Sequence, residues 1–247
     1  MANPQFDPRI AAPRFGGAVS GDATFDAGLR SYMLSVYNYM ASGVLLTGIV
    51  ALFFARGGVD SYAAQVFMQP GILKWVIMLS PIGLVLALSF GINRMSESTA
   101  KAVFWAYAAL MGLSLSTVLL MYTGASVAST FFATAASFGA LSLYGYTTKR
   151  DLSGMGKFLM MGLVGLLVAM LINMFTQSGT MSLIISAVGV LLFAGLTVYD
   201  TQKIKEMYFQ VQGSDFQGKS VVMGALTLYL DFINLFLFLL RFMGDRR

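Results

Sequence analysis

The sequence predicts an all-α polytopic membrane protein, a bundle of seven transmembrane helices, and three observations lead to this fold class. The 247-residue chain is 57% hydrophobic and only 11% charged, with a mean hydropathy of +0.74, whereas soluble domains carry roughly 25% charged residues. Apolar runs of about 20 residues, each long enough to span roughly 30 Å of hydrocarbon, recur along nearly the whole chain. The runs are continuous rather than alternating, and only helices or closed barrels satisfy the backbone in lipid, so we expect helices.

Residues 1–30 precede the first apolar run. They contain three prolines and four glycines and carry mixed charge with no apolar core. We interpret them as a disordered cytoplasmic tail. A signal peptide is not expected, because no apolar segment follows a basic region there. Residues 31–247 are then the seven-helix transmembrane domain.

Seven apolar segments are predicted to cross the membrane in order. They are Tyr32–Phe54, Ile72–Ile92, Ala102–Tyr122, Ser126–Tyr146, Gly156–Phe175, Met181–Tyr199 and Val221–Leu240. The connections between them are short, which favours antiparallel neighbours. Small residues at four-residue spacing let helices approach closely, and such pairs lie in the second, third and fourth segments: Ala87 and Gly91, Gly112 and Ser116, Ala135 and Gly139.

The basic residues are distributed unequally between the two sides of the predicted bundle. The tail and the second, fourth and sixth connections carry most of them: Arg9, Arg14, Arg30, Arg94, Lys101, Lys149, Arg150, Lys157, Lys203, Lys205 and Lys219. The opposite connections carry only Arg56 and Lys74. The positive-inside rule therefore places the N-terminus in the cytoplasm. Arg241, Arg246 and Arg247 follow the last segment, so charge leaves open whether that segment crosses the membrane or turns back.

The composition also excludes several classes of function. The chain has no cysteine and no histidine, which removes thiol chemistry, zinc sites and Ser-His-Asp catalysis. The net charge of +5 is scattered over connections and forms no stripe, so nucleic acid is not an expected partner. Any titrating site must therefore use Asp or Glu.

Two aspartates lie within or at the end of predicted spans, where ionisable groups are costly and usually functional. Asp231 interrupts the run YLDFINLFLFLLR, and Asp200, in GLTVYDTQKIK, lies at the inner end of the sixth segment. Asp231 shares one helix face with small and polar residues, which predicts that this face points to a cavity or to the bundle interior. The face consists of Ser220, Gly224, Thr227, Asp231 and Asn234.

If Asp200 and Asp231 meet, they form a proton-sensitive pair. Two carboxylates that share a site cannot both ionise cheaply, so one proton is held between them and the titration belongs to the pair. Helical rise places Asp231 about 15 Å from Val221 and Asp200 about 28 Å from Met181, and this spacing leaves the meeting open. The structural alternatives are an interfacial Asp200 beside Lys203 and an Asp231 paired with a buried arginine.

The segments GLTVYDTQKIKEMY and LYLDFINLFLFLLRFMG resemble the signature segments of the Bax inhibitor-1 family, also called transmembrane Bax inhibitor motif proteins. The resemblance implies a seven-helix bundle with the last helix central and a calcium leak that depends on pH. It also implies that Asp200 and Asp231 form the pH-sensing pair and that Arg94, in FGINRMS, latches to Asp200. We expect a bacterial member in the inner membrane.

The resulting functional prediction is a pH-sensitive calcium-leak channel or transporter that is not an enzyme and needs no cofactor. Calcium, the permeant ion, would bind weakly and transiently to Asp200 and Asp231, with Thr227 and Asn234 as supporting polar groups. The expected partners are the lipid bilayer, calcium and protons.

Two alternative functions stay open at this point. One is a regulator that binds other membrane proteins, such as a membrane quality-control protease, and nothing in the sequence argues for or against it. The other is an intramembrane aspartyl protease, since two aspartates lie on consecutive helices. The residues that end at Asp231 read LYLD, without the glycines of the GxGD motif of that class, so catalysis is not expected.

Overall fold

A computed structural model describes the backbone of residues 16–247 and the side chains from residue 27 onward. Of the predicted tail, residues 1–15 lie outside this description and residues 16–30 form the start of α1, so disorder of residues 1–15 stays a prediction. The described chain folds into eight α-helices, with a 3-10 turn at Gly58–Asp60 between the first two. They are α1 Gly16–Phe54, α2 Tyr62–Met68, α3 Leu73–Gly91, α4 Glu97–Met121, α5 Gly124–Thr147, α6 Ser153–Thr176, α7 Gly179–Val211 and α8 Gln217–Met243.

The all-α polytopic fold class is confirmed. In the part of the chain that the structure describes, seven helices are long and apolar enough to cross a membrane, and only the short α2 is not among them. Side-chain caps, as well as hydropathy, determine where several of the helices begin. At α2, α4, α5 and α7 a Ser or Thr side chain accepts a hydrogen bond from a backbone N–H in the first turn, and each such cap is worth about 1 kcal/mol.

Helix α7 is much longer than the apolar run that predicts it. The predicted segment ends at Tyr199, whereas α7 continues through polar residues to Val211. Lys, Glu, Gln and Met all favour the helix, and this extension buries Ile204, Tyr208 and Val211 against the bundle. Asp200 therefore lies inside the helix and not at its end.

The helices differ strongly in burial. Helix α8 packs against α1, α4, α5 and α7, and 72% of its apolar window is buried, against 44% for α7 and 11% for α6. Helices α3 and α6 pack chiefly against α4 and α7 and leave most of their surface exposed. This burial supports a central last helix, which stays a prediction.

The last helix runs through the bundle without a break. After α8 the chain pairs with the turn between α4 and α5: Thr123 donates its N–H to the carbonyl of Asp245 at 3.1 Å, and Arg247 donates to that of Met121 at 3.0 Å. The N–H of Asp245 also donates to Oγ of Ser126 at 3.0 Å. The seventh segment thus ends beside the α4–α5 turn, at the end of the bundle opposite its start, and does not turn back.

This topology predicts which positions share a side of the membrane. Because the chain has no native cysteine, single variants Asp151→Cys, Asp215→Cys and Asp245→Cys each carry one thiol. We expect a membrane-impermeant maleimide to label the first two from one side and Asp245→Cys from the other. Labelling of all three from the same side would contradict a fully crossing α8.

The small-residue pairs have two different outcomes. A Cβ on Gly112 would lie 2.7 Å from the carbonyl oxygen of Thr47, so at this position α4 and α1 do approach closely, as predicted. A Cβ on Gly139 would meet nothing within 4 Å. Gly139 and Ala135 instead line an open groove beside α1, and the expectation of a close helix contact at this pair is wrong.

Candidate functional site

Helices α7 and α8 form an antiparallel hairpin that sets the depth of both aspartates. The turn between them contains Gly213, whose φ of 73° lies in the left-handed region that favours glycine. Asp200 lies 11 residues before the end of α7 and Asp231 lies 14 residues after the start of α8, or about 17 and 21 Å from the turn at helical rise. The extension of α7 therefore removes the depth mismatch that the apolar runs suggest.

The structure brings the two carboxyl groups within hydrogen-bonding reach of each other. Asp231 is buried, with 4% of its surface exposed, and Asp200 is half-buried. Oδ2 of Asp231 has no donor among the described residues. Since ionised carboxylates only accept, a hydrogen bond between these two groups requires a proton on one of them. What the pair does in the protein stays a prediction.

Among the residues whose side chains the structure describes, no basic group forms a salt bridge with either aspartate. Lys101–Glu97 is the one salt bridge between residues whose side chains are described. Lys203 points its Nζ over the ring of Tyr199, 6.0 Å from the centroid, and its charge acts on Asp200 without forming a salt bridge with it. The structural alternatives, an Asp200 held by Lys203 and an Asp231 held by a buried arginine, therefore have no ion pair to support them here.

Arg94 lies in the turn between α3 and α4 and is exposed. It makes no salt bridge within the described part of the chain. Helix α3 packs chiefly against α4, so a contact between Arg94 and Asp200 requires a rearrangement of this end of the bundle. The latch stays a prediction.

The polar face of α8 points into the bundle. Ser220 is buried and accepts a hydrogen bond from the hydroxyl of Tyr32 at 3.1 Å. Thr227 and Asn234 are half-buried and donate to carbonyl oxygens one turn earlier in α8, at 3.1 and 2.8 Å. The hydroxyl of Thr227 and one N–H of the Asn234 amide are therefore bonded inside the helix, while the other N–H and the side-chain oxygen of Asn234 have no hydrogen bond among the described residues. Their role as supporting groups stays a prediction.

A chain of hydroxyl groups beside Asp200 was missed by the sequence reasoning. The hydroxyl of Tyr37 lies 2.8 Å from Oγ of Ser142, which lies 2.8 Å from Oγ1 of Thr201, and Thr201 donates to the carbonyl of Thr197 at 2.7 Å. The chain ties α1 and α5 to α7, one residue after Asp200. Its signal in the sequence is the row of hydroxyl residues along the buried face of α5: Ser126, Thr130, Thr134 and Ser142.

The residue types present limit how a cation is held. Within the described residues no group of three or more acidic side chains lies close enough together to hold a metal ion. Calcium takes six to eight oxygen ligands in its stable sites. An ion beside Asp200 and Asp231 would therefore need water and neutral oxygens for most of its shell, which describes a transient site rather than a resident one.

The chain is similar to known proteins over most of its length. Residues 29–247, which include both aspartates, match the family described as "Inhibitor of apoptosis-promoting Bax1". The inner membrane protein YbhL of Escherichia coli K12 is 45% identical over 223 residues, 90% of this chain and 94% of that protein. The uncharacterized protein RP147 of Rickettsia prowazekii is 50% identical over 229 residues, 92% of this chain and 95% of its own.

Proposed function

The chain belongs to the Bax inhibitor-1 family of membrane proteins, and from that membership we propose that it forms a pH-sensitive calcium-leak pathway gated by Asp200 and Asp231. The name of the relative YbhL supports an inner-membrane location. The basic connections favour a cytoplasmic N-terminus. Absence of enzymatic activity is part of the proposal. An interaction with other membrane proteins stays an alternative that no contact in the structure favours.

One observation carries this proposal: two carboxyl groups meet between packed helices, and no described basic side chain forms a salt bridge with either of them. Taking a carboxylate out of water without pairing it is costly, and a structural acid would normally be neutralised by Lys or Arg. Asp231 has no described Lys or Arg within salt-bridge distance. A contact that costs stability and serves no visible structural purpose is typical of a functional site.

The pair links proton binding to the packing of two helices. With one shared proton, a hydrogen bond between the carboxyl groups ties α7 to α8. When that proton leaves, two like charges face each other in a site with little water. They then either separate, which loosens the hairpin, or attract a cation between them.

Calcium suits the charged form of the pair. Two carboxylates supply the charge, and water with backbone oxygens supplies the rest of the shell. Weak binding suits passage, because a permeating ion must leave as readily as it enters. Movement of Arg94 to Asp200 would neutralise one of the two charges and compete with the ion.

The decisive test is calcium flux in proteoliposomes across a pH series. We expect wild-type protein to show a flux that changes with pH and the double variant Asp200→Asn with Asp231→Asn to show none of that change. Asp215→Asn is the matched control, because it removes one exposed carboxylate from the α7–α8 turn. An unchanged pH response of calcium flux in the double variant would contradict the proposal.

A further inference from the structure

A continuous groove runs along the lipid-facing side of the bundle between α1 and α5. We call it the α1/α5 groove and define it by Tyr37, Val44, Phe131, Ala135, Gly139 and Tyr146. The two helices scarcely contact each other, and α8 forms the floor with Phe232. The main cavity has a volume of about 600 Å³, and a second of about 340 Å³ continues it to Gly124, sharing Val44, Phe131 and Phe232.

The groove has the length of a membrane leaflet and the width of a single hydrocarbon chain. Phe131 and Tyr146 are fifteen residues apart in one helix, which is about 22 Å at helical rise and exceeds half of a hydrocarbon core of roughly 30 Å. A volume of about 600 Å³ over that length leaves a mean cross-section of roughly 27 Å². A helix 10–12 Å across has a cross-section roughly three to four times as large, so the enclosed space fits a hydrocarbon chain better than a helix of another protein.

The lining and the rim are suited to hydrocarbon. The walls are Val, Ala, Gly and Phe for most of their length, and a Cβ on Gly139 would meet nothing within 4 Å. Leu45 and Leu143 stand at the rim with 64% and 63% of their surface exposed. The walls of an empty apolar groove lack dispersion contacts, so filling the groove with apolar atoms is favourable. At this depth in the membrane, the acyl chains of lipids are the apolar groups available.

One end of the groove is polar and positively charged. Lys205 donates from Nζ to the carbonyl of Tyr146 at 2.9 Å and lies 5.4 Å from the centroid of its ring. Lys149 and Arg150 follow the end of α5 and are exposed. Tyrosine and basic residues together mark the level of the headgroups, and a cluster of cations there attracts anionic phosphate.

From this shape and charge we propose that the α1/α5 groove binds one acyl chain of an anionic membrane phospholipid, with its phosphate at Lys205, Lys149 and Arg150. The proposal does not depend on the function of the aspartates. The bound acyl chain would nevertheless contact residues next to the aspartates. Phe232, which forms the floor, follows Asp231 in the sequence, and Ser142, in the wall, shares a hydrogen bond with Thr201, which follows Asp200.

The site is tested by photolabelling of the purified full chain in detergent. The probe is a phosphatidylglycerol with a diazirine on one acyl chain, and adducts are mapped by mass spectrometry. We expect adducts on α1 and α5 at the groove in wild type and their loss in Gly139→Leu. The matched control is Gly165→Leu on α6, an exposed helical glycine whose Cβ also meets nothing within 4 Å, and it should label as wild type does.

The headgroup is tested separately. Replacing Lys205 by glutamine should weaken labelling about fivefold, since each basic residue near anionic lipid is worth about 1 kcal/mol. Replacing the probe by its phosphatidylethanolamine analogue should weaken labelling at least as much, because it removes the net negative charge that faces all three basic residues. If Gly139→Leu does not fold, Ala135→Phe fills the same groove. Adducts spread evenly over α6 and α5, or groove labelling that survives a filled groove, would overturn the acyl site. Equal labelling by both probes would overturn the anionic headgroup.

Discussion

Replacing Asp231 with asparagine is expected to raise the thermal stability of the protein while it removes the pH response of calcium flux. Asp231 is 4% exposed, and its Oδ2 has no hydrogen-bond donor among the described residues. An unsatisfied buried polar group costs about 1–3 kcal/mol. The amide has nearly the same shape and can donate to the carboxylate of Asp200. The expected gain at neutral pH is therefore about 1–3 kcal/mol of unfolding free energy, or roughly 2–4 °C per kcal/mol in a chain of this size.

The pH dependence of this gain has a definite sign. At low pH both carboxyl groups of the wild type carry protons and can bond to each other, so the variant should then have little advantage. The advantage should grow as the pH rises and like charges begin to face each other. Thermal unfolding in detergent between pH 4 and 9 measures it. Asp200→Asn should gain less, because Asp200 is half-buried, and Asp215→Asn in the exposed turn should gain nothing.

A loss of stability in Asp231→Asn at neutral pH would contradict this prediction. It would mean that the carboxylate of Asp231 stabilises the fold, as a structural acid would and as the sequence alternative of an Asp231 paired with a buried arginine also requires. The flux measurement and the unfolding measurement are independent. If Asp231 belongs to a functional site that costs stability, its replacement should give a protein that is more stable and no longer responds to pH.

The membrane spans were predictable because one physical property, burial of the backbone in hydrocarbon, determines them. Each apolar run coincides with one long helix, and only Ile72, Ile92 and Tyr122 lie one residue beyond a helix end. Two helices are much longer than their runs: α1 begins at Gly16, and the polar end of α7 extends to Val211. Hydropathy indicates which residues contact lipid, but it does not show that a helix continues into water while one of its faces stays packed. The sequence therefore placed Asp200 at the end of its helix, whereas it lies inside α7.

The lateral arrangement of the helices was not predictable from the same property. A small-residue pair indicates only that a helix permits a close approach. Gly112 and Gly139 look alike in sequence, yet one packs against α1 and the other faces the α1/α5 groove. Likewise Ser142 and Tyr37 lie 105 residues apart, and only the fold shows that they share a hydrogen bond. Contacts between distant segments are set by the whole bundle and by no local pattern.

Gly145→Ala is expected to destabilise the protein, because α5 and α7 approach each other closely at Gly145. A Cβ on Gly145 would lie 3.0 Å from Cβ of Thr201 and 3.2 Å from the carbonyl carbon of Val198, and closer still to its oxygen. The obstacle is helix backbone, which cannot rotate away as a side chain can. The helices must therefore separate, at a cost of about 1–3 kcal/mol or more in unfolding free energy.

Gly139→Ala is the matched control for this prediction, since it lies in the same helix and makes the same chemical change. Its Cβ would meet nothing within 4 Å, and alanine favours the helix by about 1 kcal/mol over glycine, so unfolding should occur at an equal or slightly higher temperature. Separation of α5 from α7 in Gly145→Ala would also stretch the 2.8 Å contact between Ser142 and Thr201. Because Thr201 follows Asp200 in α7, we expect the pH response of calcium flux to shift in this variant and not in the control. Equal unfolding temperatures for the two variants would contradict the close approach of α5 and α7 at Gly145.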